Sequence, residues 1–379
     1  MLIDTLGDKV MDDYSEHLKL TGMLSGLSSE NDAPYINSRI AENVFCKVTG
    51  AENLGRADCS ADAKLGDIGV GVKTFLAYNN NTMQKIAEFN RDASFIRYKN
   101  AEAVIGIISK LRNERILSTM RIYGLSKMIY HCIVREPNII KICETSMDLI
   151  DISNIKDISI KSNGNSIHFN DGKNEYSFNL NKNTLFKRFD TSISIYEFKV
   201  KILDDPYELL SRFVNYNTSV EKVALAPKYE SVILPLFSDR GGRNVPEKSG
   251  LNQWNAAGRK RNINEIYISI PTWIHRIFPD FFPDKDTSFT LRLPNGNELS
   301  AKMCQAGRKA LMSNPNLELG KWMLREVMDL EEGELLTYEK LQELDIDSVE
   351  VYKLSDKEYK IDFRPMGTFD EFAEMYENK

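Results

Sequence analysis

The sequence predicts two domains: an α/β domain over residues 1–215 and a mostly-β domain over residues 225–379. Three observations predict this. A chain of 379 residues is long enough to bury two separate cores. Up to Leu203, stretches of helical spacing are joined by short period-two segments. Breaks at Asp204-Asp205-Pro206, Ala226-Pro227 and Leu234-Pro235 then put the boundary between about residues 205 and 228, and strand-like segments follow.

In chain order, Thr5 to Leu27 reads as a helical opening, and SSENDAP as a polar loop. Pro34 to Val48 carries Ile36, Ile40, Val44 and Phe45 at helical spacing, with Arg39 and Glu42 beside that stripe. Next comes DCSADAKLGDIGVGVKTFL, where Asp58 and Asp62 precede a turn at Leu65-Gly66-Asp67 and the chain leaves as Ile68 to Leu76. This is a hairpin signal. Alternation along the outgoing strand puts Gly69, Gly71, Lys73 and Phe75 on one face and Val70, Val72 and Thr74 on the other. Thr82 to Arg91 shows Met83 and Ile86 at helical spacing, so a helix is expected there, carrying Glu88. Helical character is expected to continue from Ala101 to Cys143, through AVIGIISKL and KMIYHCIV. From Ile150 to Leu203 the segments SIKSN, SIHFND, EYSFNL and SISIYEFKVKIL read as antiparallel strands, and Tyr207 to Asn215 as a linking helix.

The hairpin carries the chemistry. A metal-dependent phosphodiesterase needs carboxylates to hold a hard cation and often a lysine beside the attacking water or the phosphate. Gly71-Val72-Lys73 has the spacing of an acid-x-Lys element, but a glycine occupies the acid position. Glu88 on the following segment is expected to supply the missing carboxylate. Among the aspartates, Asp62 lies opposite Lys73 shortly before the turn, whereas Asp67 beside Gly66 is ordinary turn chemistry. A rival takes Asp62-Ala63-Lys64 as the acid-x-Lys element with Asp58 upstream, and three intervening residues are too few for a hairpin.

These residues resemble the PD-(D/E)xK nuclease superfamily, with GVGVKTF as its lysine-bearing strand and Glu88 as a migrated acid. The resemblance implies a mixed sheet flanked by helices and magnesium-dependent cleavage of DNA by Asp62, Lys73 and Glu88, with Asp62 and Glu88 as the metal ligands. It also implies a further glutamate on the preceding helix, for which Glu42 is the match. Asp58 stands as the alternative aspartate.

Composition narrows the remaining classes. The longest apolar runs are too short to cross a bilayer, and MLIDTLGDKVMDDY lacks the basic and apolar regions of a signal peptide, so a cytoplasmic location is expected. Cys46, Cys59, Cys132, Cys143 and Cys304 include no CxxC pair, which indicates neither a zinc site nor a disulfide framework. The sequence contains no Walker loop, GxSxG elbow or HExxH. Of His17, His131, His168 and His275, only His17 begins an HxK string, His17-Leu18-Lys19, and it lies in the predicted helical opening.

A net charge of −6 argues against a surface coated in basic residues, yet Arg240, Arg243, Lys248, Arg259, Lys260 and Arg261 stand against Glu247 alone, a local +5. Asn252, Gln253, Trp254 and Asn255 lie within that stretch. Arg, Asn and Gln can read base edges by paired hydrogen bonds while Lys holds phosphates, so contact with double-stranded DNA is expected. Downstream, TSFTLRL, ELSAKMCQ and SVEVYKL read as barrel-like strands, with PNGN as a hairpin turn.

Here KSGLNQWNAAGRKRNINEIYISIP, FFPDKDTSFTLRLPNGNELSAKMCQ and the stretch from KALMSNPNLELGKW to SVEVYK resemble the DNA-binding domain shared by plant B3-type transcription factors and certain restriction endonucleases, most of all the C-terminal part of the NgoFVII type. The resemblance implies a seven-stranded open pseudobarrel whose two arms grip the major groove. The basic loop matches one arm, and the turn around Ser313, Asn314, Asn316 and Lys321 the other. Together the two resemblances imply a type II restriction endonuclease that uses Mg2+, acts as a homodimer and has a cognate DNA methyltransferase in the same system. The alternatives are a DNA-binding regulator with a degenerate nuclease domain, and a nicking or repair endonuclease.

Overall fold

The computed structural model describes residues 2–28, 32–55, 59–77, 82–89, 100–161, 164–216, 229–252 and 262–376. Of the residues singled out from sequence, Asp58, Gln253, Trp254, Asn255, Arg259, Lys260 and Arg261 lie outside these. The chain divides into two units: residues 1–113 with 125–224, and residues 114–124 with 225–379.

The first unit is built around the hairpin. Strand β2 (Ala63–Leu65) turns at Gly66 and Asp67 into β3 (Ile68–Leu76), with Ala63 opposite Val70 and Leu65 opposite Ile68. Gly66 has φ +61°, a left-handed backbone that glycine adopts without steric cost. The sheet runs β1 (Glu52–Asn53), β2, β3, β5 (Lys127–Glu136), β6 (Ile139–Ser146), β11 (Tyr196–Lys199). Only the β3–β5 pair in it is parallel.

The two faces of β3 are used differently. Val70 and Val72 enter a core with Tyr14 and Leu18 from helix α1 (Asp8–Met23), Ala41 and Phe45 from α2 (Ser38–Thr49), and Ile133, Ile140 and Ile142 from the sheet. Helix α2 starts at Asn37, whose side chain accepts from the Ile40 amide, and ends at left-handed Gly50. Inside this core the His131 ring lies 2.9 Å from the Tyr14 hydroxyl and 3.1 Å from Glu144, whose other oxygen accepts from the Leu2 amide. That chain of polar contacts satisfies a buried histidine and ties the first residues to β6. On the other face, a Cβ at Gly71 would stand 2.7 Å from Met147 Cε and 3.1 Å from Tyr130 Cδ1. Glycine occupies this position because packing fills the space.

Two expected helical segments are strands instead. Thr82 to Arg91 was expected as a helix, yet Met83–Glu88 forms β4, pairing with β10 (Thr184–Arg188). A six-residue segment satisfies either period, and the cross-strand partner decides. The helix expected from Ala101 to Cys143 ends at Tyr123. KMIYHCIVRE is β5, a strand inside the sheet whose apolar run is buried on both faces, so it lacks the alternation that marks a half-exposed strand. Strand β4 opens a second, antiparallel sheet in the order β4, β10, β9 (Glu175–Asn179), β8 (Ser166–Asn170), β7 (Lys156–Ile160). Against it pack Val104, Ile105, Ile108 and Leu111 of the helix Ala101–Tyr123, together with Phe89, Phe169 and Phe178.

In the second unit seven strands form one sheet, in the order β12 (Glu230–Pro235), β17 (Ile346–Lys353), β18 (Glu358–Pro365), β14 (Ser288–Arg292), β15 (Glu298–Cys304), β16 (Ala310–Ser313), β13 (Ile268–Ser269). The end strands β12 and β13 meet again, so the sheet is nearly closed. The β14–β18 pair is parallel. The turn at Pro294–Asn297 joins β14 to β15, with Gly296 at φ +91°. Residues 114–124 belong to this unit: Tyr123 donates to Asp362 at 3.2 Å and Arg121 to the Val327 carbonyl at 2.9 Å. Among the described residues no helix is long and apolar enough to cross a membrane.

Candidate functional site

Asp62 sits where the hairpin opens. Its amide donates to the Val70 carbonyl at 2.8 Å, and its Oδ2 accepts from the Val72 amide at 2.7 Å. The side chain is thereby fixed against the strand that carries Lys73. Glu42, on α2 one turn before Cys46, is buried at 8% exposure. Its Oε2 accepts from Arg39 Nη1 at 2.9 Å, and Arg39 also donates to the Gly55 carbonyl.

These side chains feel one another. Burial lifts the Glu42 carboxyl above the usual carboxylate range, Asp62 adds to the rise, and Arg39 and Lys73 oppose it. Asp62 is raised by burial as well, opposed by Lys73, by the Val72 amide and by Arg39. Cys46 is pushed up to about 11 by burial, with Glu42 and Asp62 contributing. Two partly desolvated carboxylates, one of them raised further by the other and both opposed by a lysine, are a donor set that a hard divalent cation relieves. The set is small: among the described residues no group of three or more His, Cys, Asp or Glu side chains is arranged to hold a metal ion.

Glu88, expected to complete this group, ends β4 in the other sheet, opposite Thr184, where it is exposed and accepts from Lys85 Nζ at 3.1 Å. It is not among the groups that shift Glu42 or Asp62. The change from helix to strand explains the difference, because it moves the segment away from the hairpin and into a separate sheet. Of the two expected glutamates, Glu42 is the one whose ionisation Asp62 and Lys73 influence.

One neighbouring feature escaped the sequence reading. Lys187 on β10 is 3% exposed, with its Nζ 4.9 Å from the Phe189 ring centre. Burial pulls its ammonium below the ordinary lysine range, Arg112 adds to this, and Asp148 opposes it. Lys73 Nζ lies 5.9 Å from the Tyr130 ring, and Arg112 donates to the Tyr130 hydroxyl at 3.4 Å. Cys132, the register partner of Lys73, is pushed up to about 12 by burial and Cys143, while Lys73 and Lys187 both oppose the rise. Alternation along TLFKR puts Lys187 on the face of Leu185, and that was the available signal.

In the second unit the expected DNA-contacting residues separate into two groups. Asn252 is buried, donates to the Pro246 and Leu336 carbonyls and accepts from the Leu336 amide, so its amide group is used inside the protein. Ser313 is buried and accepts from the Leu319 amide at 2.9 Å. Arg243 donates to Asp370 through both terminal nitrogens and to Asp239 through Nε. Arg240, Lys248, Asn314 and Lys321 are exposed, Lys321 pairing with Glu318 at 2.8 Å. Asn316 is half-buried, 3.5 Å from Glu265.

The family described as the NgoFVII C-terminal B3-like DNA-binding domain matches residues 228–355, about a third of the chain. No curated protein matches the chain. The match and the nearly closed seven-stranded sheet agree: the C-terminal region is similar to this B3-like DNA-binding domain.

Proposed function

We propose that the protein is a site-specific deoxyribonuclease of the type II restriction kind. The C-terminal B3-like domain selects a sequence in double-stranded DNA, and the N-terminal unit hydrolyses phosphodiester bonds with Mg2+. The observation that carries the cleavage reading is the grouping of Glu42, Asp62 and Lys73 at the opening of the hairpin. The PD-(D/E)xK-like reading rests on the same group, with Glu42 and Asp62 as the residues that would hold the metal.

A bound divalent cation supplies Lewis-acid activation of the phosphate and a lowered pKa for bound water. Asp62, held by the Val72 amide, offers its remaining oxygen lone pairs in a fixed direction. Arg39 holds one oxygen of Glu42 and so orients the other. Lys73 orients the attacking water or offsets charge developing on the phosphorane. A double-strand break takes two hydrolyses, which favours a symmetric homodimer. A companion methyltransferase for the same sequence would protect host DNA.

The test is digestion of plasmid DNA by the full chain in Mg2+ and in EDTA, followed by sequencing of the ends. The expected result is discrete fragments sharing a sequence in Mg2+ and intact plasmid in EDTA; full activity in EDTA would sink the metal-dependent mechanism. A second reading, a DNA-binding regulator with a degenerate nuclease fold, is favoured by Gly71 in the acid position. Specific binding without cleavage in any divalent metal would select it. Random single-strand nicks would instead select the nicking or repair enzyme.

A further inference from the structure

The basic stretch of the second unit opens with a loop that the protein has already fixed. Leu236, directly after β12, is buried, and its amide donates to the Asp347 carbonyl at 2.8 Å. Ser238 and Asn244 then close the loop through two backbone hydrogen bonds of 2.7 and 2.9 Å. The Asn244 side chain donates to the Arg240 and Gly242 carbonyls across the turn. Gly241 and Gly242, at φ +77° and +100°, permit the reversal. Arg240 stands at the exposed tip, and Arg243 on the returning limb.

The two arginines have different employments. Arg243 makes a bidentate pair with Asp370 at 2.8 and 2.9 Å, reaches Asp239 at 3.1 Å, and lies with its guanidinium carbon 4.4 Å from the Phe237 ring centre. Its donors are spent on carboxylates of the protein, so it is poorly placed to hold a phosphate. Asp370 belongs to the C-terminal helix Thr368–Tyr376, beyond residue 355 where the family match ends. The same helix supports the loop apolarly: Phe369 packs on Phe237, with ring centres 5.9 Å apart, and on Trp273 at 6.3 Å. Asp347 joins the roots of both elements, its carbonyl accepting from Leu236 and its carboxylate from the Gly367 amide at 2.7 Å.

We propose that Asp370 is a positioning residue for DNA recognition: through Arg243 it locks the Ser238–Asn244 loop so that Arg240 is presented to a duplex, making the C-terminal helix a working part of the reading domain. This inference rests on the reading of the second unit as a sequence-selective DNA binder. It has a sign that a charge effect lacks. An aspartate near a DNA-binding surface repels phosphates, so removing its charge should strengthen binding to every sequence. A positioning role predicts the reverse for the cognate sequence alone, since a loosened loop must be ordered again at each binding event.

The experiment uses the full chain in EDTA. A duplex selected by the wild type from a random pool and a scrambled version of it are titrated with wild type, Asp370→Asn, Arg243→Ala and the double variant Arg243→Ala/Asp370→Asn, with thermal melting of each. The expected result for Asp370→Asn is a loss of roughly tenfold in affinity for the selected duplex and unchanged or tighter binding to the scrambled one. The double variant should bind no worse than Arg243→Ala, because both substitutions break one contact. Equal or tighter binding of the selected duplex by Asp370→Asn overturns the proposal. If melting shows that Asp370→Asn is unfolded, Asp239→Asn serves in its place, since it removes one bond to the same guanidinium and should give a smaller loss of the same kind; wild-type affinity in that variant overturns the proposal. A wild type that enriches no sequence would refute the reading beneath the inference, and the inference with it.

Discussion

The two units hold their polar residues in opposite ways. At the hairpin, Glu42 and Asp62 are drawn out of water and both carboxyls are raised by burial, with Asp62 adding to the rise of Glu42. In the second unit, of the residues expected to contact DNA, Asn252, Ser313 and Arg243 spend their side chains on bonds within the protein, whereas Arg240 and Lys248 are exposed. The first pattern suits the proposed cleavage chemistry, and the second suits the proposed reading surface.

The largest expected effect tests the strained group. Asp62→Asn and Glu42→Gln should each lower cleavage on the order of 10²-fold to 10³-fold, while Glu88→Gln leaves it near wild type. Plasmid nicking rates measure this, and loss of activity in Glu88→Gln alone would return the second acid to β4. The same residues make a prediction about stability with a definite sign. A carboxyl raised in the folded state contributes stability below its unfolded pKa of about 4, and that contribution is lost as pH rises through the folded value. Metal-free Asp62→Asn should therefore melt higher than wild type at pH 7, and the gap should close toward pH 4. Mg2+ should raise the melting temperature of wild type and leave that of Asp62→Asn unchanged, because only the intact pair gains from binding.

A smaller effect is expected at Gly71. Restoring an acid there by Gly71→Asp should not improve catalysis, because the new Cβ meets Met147 and Tyr130. Overpacking of this kind costs about 1–3 kcal/mol. Denaturant titration should show that loss, and Gly71→Asp/Met147→Ala should recover part of it. A stable, more active Gly71→Asp would mean that the position is a vacated metal-ligand site and that the regulator reading deserves preference.

How much of this was legible follows from where the deciding forces act. The hairpin was readable because its register depends on a local turn at Gly66 and on alternation within β3. The seven-stranded domain was readable because its turns and strands carry local signals such as Pro294–Asn297. Strand β4 was misread because six residues fit both periods and its partner β10 lies about a hundred residues away, a pairing that sequence spacing does not reveal. Glu88 therefore lies in a different sheet from Lys73. Asn252 resembled a base reader because composition cannot tell an amide that faces a groove from one that holds Pro246 to Leu336.

That last distinction gives the finest prediction. Arg240→Ala and Asn252→Ala remove neighbouring polar residues of one basic stretch, and they should fail by different routes. Arg240 is exposed at the loop tip, so its loss should leave melting unchanged. If it holds a phosphate, affinity should fall for cognate and scrambled duplexes alike, and the slope of log affinity against log salt should flatten by about one unit. If it reads a base, the loss should fall on the cognate duplex and relax preference at one position. Asn252→Ala leaves the buried Leu336 amide and two carbonyls without their partners, at a cost of about 1–3 kcal/mol in stability. Its DNA affinity should drop only as far as the folded fraction drops, so lowering the temperature should restore binding with an unchanged salt slope. Persistent loss of cognate binding by Asn252→Ala where it is fully folded would put its side chain on the DNA and break the separation between consumed and presented residues.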